Sequence, residues 1–499
     1  MLPVKRRLAF WAALLWLCFL VSPALAADGY KYSYTYTYDF WEDIRQSPDA
    51  YRARLMISGG SLGIPGGMKT PQGLFVRGED VYICDTGNNR VLQLRLTDTG
   101  ADVVRIIDGF NGATEPKTFN SPRDIYVTEQ GDMFIADFNN NRVVKLDRNL
   151  NWQLSFVKPT DATFDQSMNF LPKKLVADTT GRVYCLAQNV NKGLIKFEAD
   201  GTFTGFIGAS KVRYRWTDYV WKLLSTKEQR EQQEAFVPTE YDNVTLDEKG
   251  FFYVVTKTFS EAELRRGDAE PVRRLNAIGN NILVENGSSY VIGDLQWAPG
   301  NTNITNSGPS KFVDVTVMQD DIYTVLDSTH NRLFTYDQQG NLLWAFGGVG
   351  NSDGFFNRPA AVDHMGLELL VLDEAGSLTV MTPTEYGRLV FKAVAQYREG
   401  DYDGSAATWK EVLAQNANCD SAYVGMGRAF LQQERYEDAM QYFKMAHDTI
   451  NYSEAWRLHR MELVEKNIGW IFAIAAVLLV VPLAVKRIRF LIWEVNQEP

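Results

Sequence analysis

Cysteine is scarce in this chain: four in 499 residues, one of them, Cys18, inside a hydrophobic leader. Cys84, Cys185 and Cys419 are too widely spaced for a disulfide framework or a CxxC metal site. Histidine is equally rare, with only His330, His364, His447 and His459. No HExxH occurs, and the two GxSxG strings, at Gly59 and Gly350, lie in glycine-rich connectors and not at the strand-to-helix turn of a nucleophile elbow, so neither a zinc peptidase nor a nucleophile-elbow hydrolase has its motif in place. A basic excess is missing as well. The 51 Lys and Arg face 61 Asp and Glu for a net charge of -10, which argues against a nucleic-acid partner. The glycine-rich GGVGNSDG from Gly347 lacks the strand-to-helix setting of a phosphate loop. What the chain does have is 45% hydrophobic and 13% aromatic residues, enough for more than one buried domain.

Both ends carry membrane signals. Lys5, Arg6 and Arg7 precede an apolar stretch from Leu8 to Val21, then Pro23 and Ala24-Leu25-Ala26 follow. This order predicts a signal peptide over 1–26, cut before Ala27. Residues 468–485 hold no charge and are long enough to cross a bilayer. Lys486, Arg487 and Arg489 follow, which predicts that the tail 486–499 stays in the cytoplasm and that everything before Ile468 lies outside it.

Between these ends one pattern recurs. ICDTGNNRVLQL from Ile83 returns as IADFNNNRVVKL from Ile135 and VLDSTHNRLFTY from Val325. Six units open at Pro71, Pro122, Pro172, Glu240, Pro309 and Arg358, about 50 residues apart, each with short alternating strands and glycine turns. A blade of four strands cannot bury both of its faces alone, so six arranged radially share one core. The units resemble NHL-repeat propellers, most specifically at FGGVGNSDGFFNRPAAV from Phe346. The resemblance implies a six-bladed NHL-type β-propeller over 27–383, with insertions at 210–238, 257–270 and 288–308. The third unit departs by placing Gln188 where the Asp belongs, and the sixth has neither the Asn nor the Arg.

Asp85, Asp137 and Asp327 end strands, where a carboxylate accepts backbone N–H groups of the following loop. Arg90, Arg142 and Arg332 then donate to neighbouring carbonyls or carboxylates, making the motif structural. A calcium loop over Asp137, Asn139 and Asn141 fails, because Arg142 replaces the required Gly and Arg148 the bidentate Glu. No metal and no cofactor are predicted.

The sixth unit turns helical after Ser377 and lacks an outer strand. RARLMIS, at about 52–58, is the expected closing strand. The preceding Tyr30 to Trp41 alternates Tyr with polar residues and is expected to pack its aromatic face on the propeller wall. From Thr384 the period changes, and GDYDGSAATWKEVL aligns with ERYEDAMQYFKMA at an offset of 34 residues. That resembles tetratricopeptide repeats and implies two helical hairpins plus a capping helix over 384–466, running into a transmembrane helix.

Insertions gathered on one face of a repeat array mark its binding side. The expected ligand site there comprises Gln72, Arg123, Asp124, Lys173, Asp242, Asn243 and Lys311 at the inner-strand starts, with Trp216 and Tyr219 from the first insertion. No catalytic residue is assigned. VPTEYDNVTLDEKGFFYV, PVRRLNAIGNNILVENG and SPDAYR resemble a bacterial family of membrane-tethered NHL-repeat proteins, often labelled gluconolactonase-like. This resemblance implies proximity to an ABC transporter permease or solute-binding protein, and a sugar or glycan as ligand. The expectation is a membrane-anchored binding or scaffold protein serving carbohydrate uptake. Two alternatives stay open: a calcium-dependent lactonase-type hydrolase, with Asp124, Asp242 and Asn243 near the metal, and a pure protein scaffold acting through the helical repeats.

Overall fold

The computed structural model describes residues 35–495 except 42, 113–114, 210–239, 260–262, 265, 267–268, 286, 288–290 and 296–307. The leader 1–26, the whole first insertion 210–238 with Trp216 and Tyr219, and the last four residues lie outside the described residues.

Six antiparallel sheets follow one another along the chain. Their inner strands are Gly73–Arg77, Pro122–Val127, Pro172–Ala177, Asn243–Leu246, Phe312–Val317 and Pro359–Met365, taken here as blades 1 to 6. Contacts between successive inner strands run around the whole ring, including Pro359–Met365 back to Gly73–Arg77. The molecule is a six-bladed β-propeller with helices behind it. Hydrophobic patterning follows radial position. Second strands such as Met133–Asp137, Val183–Ala187 and Tyr323–Asp327 are buried on both faces, whereas the outer strand Ala101–Ile107 alternates and is solvated on one.

The strand Tyr51–Ser58 closes the ring. It pairs antiparallel with Ser377–Pro383 from Ser377↔Ser58 to Pro383↔Tyr51 and becomes the fourth strand of blade 6. The tyrosine-rich segment adds two further strands to blade 5, Tyr36–Tyr38 and Ile44–Gln46, beyond Leu342–Gly347. The hydroxyls of Tyr36 and Tyr38 both reach the buried carboxylate of Asp294, which also takes the Arg332 guanidinium. Part of the 288–308 insertion is thereby pinned to blade 5.

Strand register corrects one sequence alignment. Pro172 pairs with Ala187 as Pro122 pairs with Asp137, so Ala187, not Gln188, holds the aspartate place in blade 3. Counting from the motif missed this because the loop behind it differs in length.

Four helices, α1 (Glu385–Glu399), α2 (Tyr402–Gln415), α3 (Asp420–Gln432) and α4 (Tyr436–Met445), form two hairpins. The hydroxyl of Thr384 caps α1 by accepting from the N–H of Gly387, Gly400 ends it at φ 85°, and Asp401 caps α2. Small residues let the helices approach. A Cβ on Gly425 would lie 2.4 Å from the Trp409 indole, so α3 meets α2 at a distance only glycine permits. The fifth helix, α5 (Thr449–Val495), is unbroken, so the expected cap, span and first part of the tail are one element. It is long and apolar enough to cross a membrane.

The hairpins do not stand apart from the propeller. Tyr51, Trp344, Phe346 and Met381 from blades 5 and 6 share one buried cluster with Val390, Phe391 and Val394 of α1. Arg398 of α1 reaches Asp320 at 3.3 Å, and Arg428 of α3 lies 3.8 Å from Asp337. Arg428 is thus engaged with the propeller.

Candidate functional site

The ends of the second strands come first, because they fix where the inner strands start. Asp85 is fully buried and accepts from the Lys69 backbone N–H (2.7 Å), the Asn88 amide (2.8 Å) and Arg90 Nε (2.8 Å). Asp137 repeats the set with Asn120 N–H (2.7 Å), Asn140 (2.8 Å) and Arg142 Nε (2.9 Å). Burial lifts the Asp137 pKa against the pull of these three donors. Asp327 holds the Lys311 N–H (2.8 Å), the Ser310 hydroxyl (2.7 Å) and His330 Nδ1 (2.7 Å), so the histidine stands in for the asparagine. In Asp85 and Asp137 the backbone N–H comes from the connector entering the blade, not from the following loop as the sequence reading expects. Antiparallel pairing explains the difference, since it sets the end of the second strand beside the start of the first. Asn89, Asn141 and Asn331 take φ near 57°, 57° and 55°, the left-handed turn for which asparagine is suited.

Equivalent register now aligns the six inner strands around the axis. Gly73, Asp124, Lys174, Asn243, Asp314 and Ala361 occupy one level, each opposite the residue that precedes its blade's aspartate place. Two residues further along lie Phe75, Tyr126, Val176, Thr245, Thr316 and Asp363. These two levels wall a central channel enclosing about 140 Å³.

The polar members clip neighbouring blades together. Asp124 Oδ2 accepts from the Leu175 N–H at 2.9 Å, Asp314 Oδ2 from Val362 at 2.8 Å, and Asp363 Oδ2 from Val76 at 2.7 Å. The Asn243 amide donates to Asp314 Oδ1. Thr316 Oγ1 meets Asp363 Oδ1 at 3.0 Å and His364 Nδ1 at 2.8 Å. At Gly73 blade 1 comes so close to blade 2 that a Cβ would sit 2.6 Å from the Arg123 carbonyl.

The electrostatics are unusual for so small a space. Burial, with Asp124 nearby, pushes the Asp314 pKa up to about 7 despite the opposing pull of Lys174. Burial raises Asp124 too, against the same lysine. The Lys174 ammonium is disfavoured by burial, but Asp124 and Asp314 outweigh that and raise its pKa. Among the described residues its one carboxylate contact, to Asp124 Oδ1, is long at 3.5 Å.

The structure thus brings Asp124 and Asn243 into the channel and turns Gln72, Arg123, Lys173, Asp242 and Lys311 away from it, while Trp216 and Tyr219 lie outside the described residues. Arg123 lies over the Phe138 ring at 3.3 Å. Lys173 pairs with Glu240 at 2.5 Å and Asp242 with Lys257 at 2.9 Å, while Gln72 is half-buried and Lys311 exposed on the rim. They stand one or more positions before the channel level, where the strand period of two turns a side chain away from the axis. Asp314 and Asp363 were missed. Aligning the unit openings on the second-strand aspartate, instead of on the opening proline, places Asp314 level with Asp124.

Among the described residues no three His, Cys, Asp or Glu side chains come together as a metal cage requires. The Lys174 ammonium lines the same channel and opposes a dication there.

An NHL-repeat model matches residues 119–146 and a tetratricopeptide-repeat model residues 392–453. NHL repeat-containing protein 3 of Mus musculus is 30% identical over 142 residues, and that of Homo sapiens 27% identical over 142. Each match spans 26% of this chain and only 40% of the relative's length. Among solved structures, a virginiamycin B lyase from Staphylococcus aureus is 10% identical, with 66% of this chain and 98% of that chain covered and a TM-score of 0.38. A streptogramin B lyase is 11% identical, with 68% and 100% covered and a TM-score of 0.38. An NHL repeat in the propeller and a tetratricopeptide repeat in the helical region are therefore both present in this chain.

Proposed function

We propose that this protein is a membrane-anchored scaffold that holds a ligand-binding propeller outside the cytoplasm and serves carbohydrate uptake beside an ABC transporter permease or its solute-binding protein. One observation carries the reading. The hairpins share a core with blades 5 and 6 and run through α5 into an apolar span, so propeller, repeats and anchor are joined without a linker. Such a join fixes the height and orientation of the binding faces above a membrane, which suits an accessory subunit that must meet a membrane partner. The cationic flank Lys486, Arg487 and Arg489 supports a cytoplasmic tail. The calcium-dependent lactonase reading would put a dication against Lys174 and is not carried further.

The test has two parts in intact cells. Added protease should digest the propeller while a tag placed after Pro499 stays protected, and in-cell crosslinking from exposed positions on α2 should capture a permease or solute-binding protein. A protected propeller refutes the orientation. Crosslinks confined to proteins unconnected with transport refute the accessory role.

A further inference from the structure

We propose that the central channel is a binding site for one neutral, hydroxyl-rich ring of monosaccharide size. This deepens the carbohydrate reading above and rests on its ligand, not on any transporter.

Size comes first. The volume of about 140 Å³ is close to that of a cavity known to admit benzene, about 150 Å³, so it takes one edge of a hydroxyl-rich ring and leaves the rest of the ring in the open mouth. Chemistry narrows the occupant. Lys174 is almost enclosed, its side chain 12% exposed, and has three N–H donors but a single long contact at 3.5 Å among the described residues. A buried ammonium so poorly served requires further acceptor oxygens in the channel. The same space is bounded by the carboxylates of Asp124, Asp314 and Asp363, which can only accept when ionised. An anion supplies acceptors to Lys174 but meets the carboxylates of Asp124 and Asp363, and a dication satisfies those carboxylates but meets the ammonium. A hydroxyl both accepts and donates, so a polyol serves both sets without adding charge.

The wall supplies the remaining half of the recognition. Phe75 and Tyr126 come from adjacent blades, line the channel and pack with ring centroids 4.9 Å apart. Both are half-buried. A pyranose presents an apolar C–H face that packs on such rings while its rim of hydroxyls reaches Lys174, Thr245 and the carboxylates. An acyclic polyol has the hydroxyls without a rigid apolar face, and is expected to bind less well.

The experiment uses the full chain in detergent micelles, titrated calorimetrically with glucose, galactose, mannose and myo-inositol. Glucitol, glucose 6-phosphate and calcium chloride serve as counter-probes. At least one neutral ring should bind saturably, raise the melting temperature, and outbind glucitol and glucose 6-phosphate by tenfold or more. Lys174→Met removes the donor and keeps the stem, and should weaken that ring by tenfold or more. Should Lys174→Met fail to fold, Thr245→Val and Tyr126→Leu address the same channel, and a threefold or greater loss in either is expected. No saturable neutral ring, tightest binding by calcium or the sugar phosphate, or full affinity in the folded variants would each overturn the proposal. Capture of a transporter without sugar binding sinks this inference alone. Sugar binding without such capture leaves it standing and sinks the accessory role.

Discussion

Tyr51 is the residue at which closing strand, propeller and helical repeats meet, and replacing it with alanine should unfold all three together. Its side chain is fully buried, stacked on Phe346 with centroids 5.2 Å apart and set edgewise to Trp344 and Phe391. Its hydroxyl donates to the Leu367 carbonyl at 2.8 Å. Truncating a buried aromatic costs about 3 to 5 kcal/mol, and leaving the part-buried Leu367 carbonyl without its donor adds up to about 1 kcal/mol. A total near 5 kcal/mol, set against an unfolding entropy of about 2.1 cal/mol/K per residue over roughly 400 residues, lowers the melting temperature by about 6 °C. Circular dichroism at a helical wavelength and tryptophan fluorescence, followed on the same sample in detergent, check both size and cooperativity. Tyr51→Phe keeps the ring and should lose only about 1 kcal/mol. The reasoning fails if the helical signal of Tyr51→Ala melts at the wild-type temperature while the fluorescence shifts, because the hairpins would then be an independent unit.

Other consequences can be measured as directly. Asp137→Ala strands the Arg142 guanidinium, whose side chain is 6% exposed, and should destabilise the chain by about 3 to 5 kcal/mol in denaturant titrations. The Asp314 carboxyl has a folded pKa of about 7 against an unfolded value of 3.8, so the native state holds the extra proton. Its contribution therefore falls as pH rises from about 4 to 7. Asp420, raised to about 6 by burial and Asp39, adds to the same slope, so the informative quantity is the difference between wild type and Asp314→Asn. The variant should lose less stability between pH 5 and 8, and equal slopes would exclude Asp314 as a titrating group. Gly425→Ala forces a methyl group against Trp409 and should cost about 1 to 3 kcal/mol, seen as a lower melting point of the helical signal.

Much of the fold is legible in the sequence because its signals are local. Six similar openings, a strand period of two and a 34-residue helical repeat each report on neighbours along the chain. The closing strand is legible too, since blade 6 visibly lacks a partner. The weld between α1 and the propeller is not. Phe391 reads as an ordinary helix-packing aromatic, and nothing near it says that its neighbours are Tyr51 and Trp344, which come from two other parts of the chain. The channel was legible in part. Asp124 and Asn243 stand out as polar residues in apolar strands, but bulges in blades 2, 3, 5 and 6 shift the register by one residue. Proline-based alignment therefore selects Arg123 and Lys173, which turn away, and passes over Asp314 and Asp363.

Ring closure also imposes an order on biogenesis. Tyr51 leaves the ribosome early, whereas Leu367, whose carbonyl it binds, lies 316 positions later. At about 5 to 20 residues per second, roughly 15 to 60 s pass before blade 6 exists to receive the closing strand. Throughout that interval Tyr51–Ser58 is an unpaired edge, open to pairing with any other chain. Helices α1 to α4 follow within a few seconds of the ring's last strand, and α5, the segment that would halt in a translocon, comes after them. Anchoring and closure thus fall at nearly the same moment, and a chain truncated before Ser377 would have neither.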